Sequence, residues 1–458
     1  MTNTLWGGHE SLPALVAAYT VGDDHTWDRR LLPWDILGTL AHVEGLAAIG
    51  VLTAAQAGRV RAALRRALSE SRAGSFSISD DDEDVHTAVE RRLVGRLGEL
   101  GERVHAGRSR NDQVLADLRL FSKDRLLAVI AAVLDLAGSC AAFAKRHRDV
   151  VFPGYTHQRR AMPSTIGLWA ASFAELLLDD LVPLHAVLEL IDRSPLGSAA
   201  GFGVPLPLDR ELVASHLGFA GVQGNVAAVQ GSRGKFEVVI LSALWTVAYD
   251  LGKLAWDVIL FSSEEFGFLR VPEELATGSS IMPHKRNPDV FELTRARAGM
   301  LDGLLAQAMA VAGRLPSGYH RDLQLGKGVL MRGFDVVEEM LAMMTHAVPL
   351  LAVERAACAR ALTPEMLATD EVLRRVRQGQ SFRHAYREVA DELRRGLMPP
   401  PLTPRQILAA RTSTGSPGNL GLSRIARTIA QRRRELARRR RVFDGALARL
   451  AGRAGGKR

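Results

Sequence analysis

Reactive side chains are concentrated in the loop at 278–289, which reads Gly-Ser-Ser-Ile-Met-Pro-His-Lys-Arg-Asn-Pro-Asp. Gly278 gives this segment conformational freedom, and its two prolines limit that freedom. Lys285 places a positive charge where it could stabilise a developing enolate or carboxylate dianion, and Ser279 or Ser280 could act as a base. The pattern is typical of a mobile loop that closes on an anionic substrate. Glu292, in the following helix, could orient a histidine from another segment.

A second polar cluster lies at 105–113 and contains Arg108, Arg110 and Asn111 just before a predicted helix. Arginine offers paired donors to a carboxylate, and the start of a helix adds backbone donors. We therefore predict an anion site here. The alternative is a polar loop in which Ser109 or Asn111 caps the helix.

Two further segments carry groups that could contact a ligand. The stretch at 154–163 contains Thr156 and His157, and His157 is the only group there suited to proton transfer near neutral pH. The alternative is a structural histidine. The stretch at 319–327 supplies Tyr319, Gln324 and Lys327, and its alternative is a surface turn between helices.

Helical periodicity dominates the segments that must position these clusters. Apolar residues recur at spacings of three and four over 36–71 and 85–100, then in long blocks near 111–148, 164–192, 232–265, 288–313 and 330–354. Alternating β-type runs are few. The sequence therefore predicts an all-α fold built on a bundle of long helices. We expect three parts: an N-terminal helical domain at 1–108, a central bundle domain at 109–355, and a small C-terminal helical domain with a basic tail at 356–458.

Composition narrows the class of protein. The 458 residues are 47% hydrophobic and 24% charged, as in ordinary globular proteins. Cys140 and Cys358 are far apart in the sequence, so we expect a reducing, cytoplasmic setting without disulfides. The N-terminus lacks the pattern of a signal peptide, and the apolar runs predict no membrane span.

The net charge of +9 comes from one end of the chain. Residues 424–458 hold 13 Lys/Arg and 2 Asp/Glu, so the rest of the chain carries about −2. A basic tail can bind nucleic acid. The sequence alone favours a solvated arginine-rich helix with a frayed end, and it makes a nucleic-acid partner unlikely.

These motifs resemble those of the fumarase/aspartase superfamily, and within it those of the argininosuccinate lyase family. The loop at 278–289 is similar to the superfamily signature, although 282–288 is closer to its adenylosuccinate lyase form. Residues 105–114 are similar to His-Thr-Gly-Arg-Ser-Arg-Asn-Asp-Gln-Val, departing at Ala106. Residues 154–163 are similar to Gly-Tyr-Thr-His-Leu-Gln-Arg-Ala-Gln-Pro, departing at Gln158, Arg159 and Met162. The resemblance extends from 5–8 to about residue 425.

The resemblance implies reversible cleavage of L-argininosuccinate to L-arginine and fumarate, the last step of arginine biosynthesis. Adenylosuccinate lyase-like chemistry and a catalytically retired structural homologue are the alternatives. The implied catalytic residues are Ser279, His157, Lys285 and Glu292. The implied substrate-binding residues are Arg110, Asn111, Thr156, Asn287, Tyr319, Gln324 and Lys327. The family pattern also implies three mostly helical domains, a homotetramer with a twenty-helix core and shared active sites, and no cofactor or metal.

Overall fold

The fold is all-α in the computed structural model, which describes residues 13–79 and 82–452. The helices are α1 (Ala14–Val21), α2 (Asp24–Ala48), α3 (Ala54–Arg72), α4 (Val85–Leu97), α5 (Glu99–Glu102), α6 (Arg110–Arg146), α7 (Ile166–Asp179), α8 (Leu181–Ile191), α9 (Arg210–His216), α10 (Val226–Gly231), α11 (Lys235–Phe261), α12 (Asp289–Ala312), α13 (Gly326–Ala347), α14 (Arg355–Arg360), α15 (Ala368–Arg377), α16 (Phe382–Arg394), α17 (Pro404–Ala409) and α18 (Leu422–Leu450). Short 3₁₀ turns cover Arg103–His105, Glu273–Leu275, Arg321–Leu325, Val348–Leu350 and Pro364–Leu367.

Strands make only two-stranded ladders in the described part of the chain. They are β1 (Val151–Thr156), β2 (Arg159–Thr165), β3 (Arg193–Ser194), β4 (Gly221–Val222), β5 (Leu269–Arg270), β6 (Thr277–Gly278), β7 (Arg286–Asn287) and β8 (Ala352–Val353). The pairs are β1–β2, β5–β8 and β6–β7, all antiparallel, and β3–β4, which is parallel. The prediction of an all-α protein with little strand is confirmed.

The central bundle is formed by α6, the α7–α8 pair, α11, α12 and α13, which pack on one another along their lengths. Helices α11 and α12 run antiparallel, since Trp245 bonds Asp302 while Trp256 lies under Arg295. Helices α6 and α13 run parallel, because Phe121 packs on Phe334 and the later residue Arg146 bonds the carbonyl of Pro349. The bundle therefore has two distinct ends.

The predicted helical blocks match the bundle, with local differences. The block at 36–71 is two helices, α2 and α3, because Thr53 caps a new helix with its side chain and Gln56 answers in a capping box. The block at 164–192 begins as strand β2, and its helix is divided at Asp180. The last block starts at Gly326 rather than 330 and ends at Ala347.

Much of one face of the C-terminal helix α18 is buried, so it is only partly solvated. Ile425, Leu436 and Phe443 are buried, and α18 packs against α6, α2, α9 and α7. The arginine-rich segment is therefore a structural helix as far as Leu450, and the predicted frayed end at 455–458 lies outside the described residues. The domain boundaries near residues 108 and 355 stay a prediction.

Two bundle helices, α6 and α11, are long and apolar enough to cross a membrane by length and composition. In each, 56% of the apolar window is buried inside the chain. A core helix in a bundle has the same properties, so this is weak evidence for a membrane span.

Candidate active site

The first turn of α6 is fixed by its cap. Ser109 accepts a hydrogen bond from the backbone N–H of Asn111 at 3.3 Å, and the carboxylate of Asp112 accepts one from the N–H of Ser109 at 3.0 Å. Asp112 also accepts from the N–H groups of Gly197 and Ala199. Ser109 is therefore the cap that the sequence offered as an alternative, and it orients Arg110 and Asn111 rather than replacing them as candidate ligands.

Arg110 is held by acidic residues that precede α4. Its guanidinium lies 2.7 Å from Glu83 and 2.9 Å from Asp84, and it donates to the hydroxyl of Thr87 at 2.9 Å. Glu83 lies 3.4 Å from a second guanidinium, that of Arg321. The sequence predicted Arg110 but not these partners, which lie more than 20 residues earlier in the chain.

Lys327 and Gln324 bind the start of the described chain. Lys327 is buried and donates to Asp28 at 2.6 Å, with Asp24 at 2.8 Å. The amide of Gln324 donates to the backbone carbonyl of Thr20 at 2.9 Å. The 3₁₀ turn at Arg321–Leu325 carries both Gln324 and Arg321, and Arg321 reaches Thr20 and Glu83. Because Arg110 also binds Glu83, this network joins Arg110 to Gln324, and Lys327 follows Gln324 at the start of α13.

Burial and ion pairing have opposite effects on the pKa values of Asp24 and Lys327 in this cluster. Burial raises the pKa of Asp24 to about 6, with Lys327 opposing and Asp28 adding to the rise. Burial alone would lower the pKa of Lys327, but Asp28 and Asp24 more than offset it, so the net shift is upward. Lys327 therefore stays charged between two acids. Asp24 and Asp28 were missed by the sequence reasoning, although a spacing of four on one helix places them on the same face.

A buried group of Asp35, His86 and Asp117 lies close to this cluster. His86 Nδ1 is 2.7 Å from Asp35 and 3.8 Å from Asp117. Burial would lower the pKa of His86, but Asp35, with Asp84 and Asp28, raises it overall. The three side chains have ligand atoms within 4.8 Å of one another, close enough to hold a metal ion. The 2.7 Å separation is equally that of a charge-assisted hydrogen bond.

Tyr319 completes this end of the bundle. The guanidinium of Arg233 lies 5.3 Å from the centre of the Tyr319 ring, and Arg233 also bonds the carbonyl of Leu323. Tyr319 is half-buried. We call the group of Arg110, Asn111, Tyr319, Gln324 and Lys327 the amino-end cluster, because it surrounds the N-terminus of α6.

His157 lies at the tip of the β1–β2 hairpin, at the other end of α6. It and Gln158 form a two-residue turn with φ of +53° and +57°, a conformation that favours glycine and costs a side chain about 1–2 kcal/mol. The base of the hairpin is held by ring contacts of Tyr155 with Phe266 and of Phe152 with Phe261. Thr156 and His157 are exposed, so this rigid hairpin presents both side chains outward.

The loop that holds Ser279 is closed by the β6–β7 ladder, in which Thr277 pairs with Asn287. The hydroxyl oxygen of Ser279 accepts hydrogen bonds from the N–H groups of Ile281 at 3.3 Å and Met282 at 3.0 Å. Lys285 is exposed, and its N–H bonds the carbonyl of Met282. Two backbone donors aimed at one serine oxygen would stabilise negative charge there.

The loop continues into α12, where Glu292 is exposed in the first turn. The hairpin contacts the end of α11 through Phe152 and Phe261, and the loop lies between α11 and α12 in the chain. We call the group of Thr156, His157, Ser279, Lys285, Asn287 and Glu292 the hairpin-end cluster.

The two clusters lie at opposite ends of the bundle. Helix α6 runs unbroken for 37 residues, which separates Arg110 from the hairpin by about 54 Å of helix rise. One chain therefore places the predicted residues of each cluster at the same end of the bundle, and it does not bring Arg110 to His157. A cleft of about 980 Å³ lies beside the hairpin and is lined by residues such as Gln158, Arg159 and Glu264. Neither Ser279 nor Lys285 lines it.

Comparison with known proteins agrees with this architecture. A family model described as "Lyase" matches residues 13–303. The argininosuccinate lyase of Sorangium cellulosum is 46% identical over 429 residues, covering 94% of this chain and 99% of that protein. That of Parabacteroides distasonis is 40% identical over 420 residues, covering 92% and 93%. That of Thermotoga neapolitana is 43% identical over 392 residues, covering 86% and 98%.

Solved structures share the fold at lower identity. An EDDS lyase in complex with formate superposes with a TM-score of 0.81 at 22% identity, covering 97% of this chain and 95% of that one. A class II fumarase from Schistosoma mansoni gives 0.69 at 15% identity, covering 83% and 91%. The motif resemblance is thus confirmed over most of the sequence, and the chain belongs to the argininosuccinate lyase family of the fumarase/aspartase superfamily.

Proposed function

We propose that this protein is a carbon–nitrogen lyase that cleaves L-argininosuccinate reversibly to L-arginine and fumarate, the last step of arginine biosynthesis. The observation that carries the proposal is the near full-length similarity to argininosuccinate lyases at 39–46% identity. The serine loop and the hairpin histidine supply groups suited to an elimination.

Ser279 is the proposed base, which removes a proton from the carbon next to a succinyl carboxylate. A serine hydroxyl releases its proton reluctantly, so the site must stabilise the resulting oxyanion. The N–H groups of Ile281 and Met282 already point at that oxygen, and they supply this stabilisation before the substrate arrives. Lys285, six residues further along the same loop, stabilises the enolised carboxylate.

His157 is proposed to protonate the leaving guanidino nitrogen or to help position it, with Glu292 as its partner. The constrained turn at the hairpin tip fixes where the imidazole points, and this supports a positioning role. Thr156 and Asn287, in the same hairpin-end cluster, would hold the carboxylates of the succinyl half.

The amino-end cluster is proposed to hold the rest of the substrate through Arg110, Asn111, Tyr319, Gln324 and Lys327. Lys327 lies between the carboxylates of Asp24 and Asp28, with Arg233 as a further charge near Asp24. These carboxylates are acceptors that suit the guanidinium of the arginine half of the substrate. Arg110 would have to exchange part of its contact with Glu83 for a substrate carboxylate.

A complete site then requires more than one chain. Because α6 keeps the two clusters about 54 Å apart, the amino-end cluster of one chain must meet the hairpin-end cluster of another. The homotetramer with a twenty-helix core and sites shared among three subunits meets this requirement. Exposed apolar side chains on α11 and α12, among them Trp256, Leu293 and Met300, offer a surface for such packing. The free cysteines Cys140 and Cys358 support a cytoplasmic location.

The test is purified protein mixed with argininosuccinate while fumarate is followed by its ultraviolet absorbance. We expect turnover by the wild type, a loss of at least about 100-fold in kcat for Ser279→Ala, and near wild-type rates for the matched control Ser280→Ala. Turnover of adenylosuccinate instead would assign the protein to that alternative. A silent wild type would favour the retired structural homologue.

A further inference from the structure

Helix α18 carries ten arginines, and ion pairs divide them into two equal groups. Five have acidic partners: Arg424 with Glu175, Arg432 with Glu435, Arg433 with Asp135, Arg439 with Glu189, and Arg440 with Asp124 and Asp444. The other five have no ion-pair or hydrogen-bond partner among residues 13–79 and 82–452. They are Arg427, Arg434, Arg438, Arg441 and Arg449.

The unpaired arginines share one face of the helix. At 100° per residue they fall within an arc of about 80°, and the five paired arginines all fall outside it. The buried residues Ile425, Ile429, Leu436 and Phe443 lie roughly opposite. Between the arginines this arc holds only Gln431 and Gly445, so no acidic residue interrupts it. We call Arg427, Arg434, Arg438, Arg441 and Arg449 the arginine stripe, and all five are exposed.

The stripe is long and rigid. It spans 22 residues of helix, or about 33 Å, close to one turn of B-form DNA. Packing against α6 and α2 holds α18 straight against the body, so the guanidiniums are positioned before any partner arrives. Five aligned charges without internal partners cost repulsion, which an extended polyanion would relieve.

We infer that the arginine stripe binds the phosphate backbone of double-stranded nucleic acid without sequence preference. Guanidiniums match phosphate geometry, and the stripe has no aromatic side chain on which unpaired bases could stack. A bilayer is the weaker fit, because binding to anionic lipid through a helix needs an apolar face as well, and the apolar face of α18 is buried in the chain. The sequence alone made a nucleic-acid partner unlikely for this tail. The position of the unpaired arginines on one exposed face favours such a partner.

The test measures binding of the full-length protein to a 30-base-pair mixed-sequence duplex by fluorescence anisotropy as salt increases from about 50 to 200 mM. Five phosphate contacts predict a slope of log K against log salt of about −4.5 per protomer, which is a weakening of about 500-fold over that range. The stripe variant replaces all five residues with glutamine: R427Q, R434Q, R438Q, R441Q and R449Q. We expect it to lose measurable binding and to keep its lyase rate.

A matched control removes the same charge from the same helix through R424Q, R432Q, R433Q, R439Q and R440Q. We expect it to bind the duplex within about threefold of wild type, since surface ion pairs add little stability. A second variant with lysine at the five stripe positions retains the charge and should retain binding. It distinguishes binding lost with the charge from binding lost because a substituted helix fails to fold. Melting curves identify any variant that fails to fold.

Four outcomes overturn the inference. The first three are no duplex binding by the wild type, equal loss in the stripe and control variants, and binding to phosphatidylserine vesicles without binding to duplex. The fourth is loss of binding on replacing only Arg453, Lys457 and Arg458, which lie outside the described residues, because it would assign the contact to them. Duplex binding is measured separately from lyase activity, so failure of this inference and failure of the proposed function can be told apart.

Discussion

The separation of the two clusters makes subunit mixing informative. Arg110→Gln removes a ligand from the amino-end cluster, and His157→Gln removes one from the hairpin-end cluster. In the proposed assembly every site uses one copy of each cluster, so each variant alone has every site damaged. We therefore expect both homo-oligomers to be nearly inactive towards argininosuccinate.

A mixed oligomer should recover activity, and the amount follows from the geometry. In the proposed assembly one site takes the two residues from different chains, because about 54 Å of helix separates them within one chain. In an equal random mixture, a site draws its amino-end cluster from a His157→Gln chain half of the time. It independently draws its hairpin-end cluster from an Arg110→Gln chain half of the time, so about one quarter of the sites are intact.

The assay co-expresses the two variants with different affinity tags, purifies species that carry both tags, and measures fumarate release. The matched control mixes Arg110→Gln with Asn111→Leu. These neighbours in α6 belong to one cluster, so no mixture can restore both and no recovery is expected.

Equal inactivity in the mixed and homogeneous preparations would refute the shared-site reasoning, as long as both tags are present. Recovery in the Arg110 and Asn111 control would refute the grouping of these residues in one site. A protein that is monomeric by light scattering and fully active would contradict the requirement for two chains in one site.

Three further predictions concern stability. Lys327→Met leaves Asp24 and Asp28 buried without their cation and should lower the free energy of unfolding, measured in urea, by about 3–5 kcal/mol. Adding Asp28→Asn should restore part of that loss. An unchanged urea midpoint would contradict the importance of the buried ion pairs. Gln158→Gly removes the cost of a positive φ at the hairpin tip and should raise the free energy of unfolding, measured in urea, by about 1 kcal/mol. A lower free energy of unfolding would show that the turn does not strain Gln158. Burial, with Asp250 and Asp179, raises the pKa of Asp180 to about 7, against the hydrogen bond from Thr246. Because the folded pKa lies above the unfolded one, the stabilisation is complete below about pH 4 and is lost as the pH rises through 7. At pH 8 the free energy of unfolding of Asp180→Asn should therefore exceed that of wild type by about 2 kcal/mol, with little difference at pH 4. Equal gains at both pH values would argue against the shift in pKa.

Local patterns predicted the features that depend on nearby residues. The apolar spacing predicted the ends of α6 and α12 to within about two residues and those of α11 to within about four, because each helix must bury a continuous stripe in the bundle. Residue type narrowed the cap of α6 to Ser109 or Asn111, and the structure shows Ser109 in a capping box with Asp112.

Contacts between distant segments could not be read from one sequence. Lys327 meets Asp24 and Asp28 across about 300 residues, and nothing local to either segment indicates the other. For the same reason, the sequence gives the net charge of the tail but does not show which of its arginines form ion pairs. The acids that neutralise Arg424, Arg433 and Arg439 lie on α7, α6 and α8.

The length of α6 sets a mechanical tolerance for the whole protein. One inserted residue would move the hairpin by about 1.5 Å and rotate it by about 100° relative to Arg110. In the proposed closed assembly the two ends of each α6 helix contribute to different active sites. One insertion would therefore misalign residues in two sites. We expect insertions in this helix to be accepted only in near-complete turns matched in α11 and α13, whereas surface loops should tolerate changes of length.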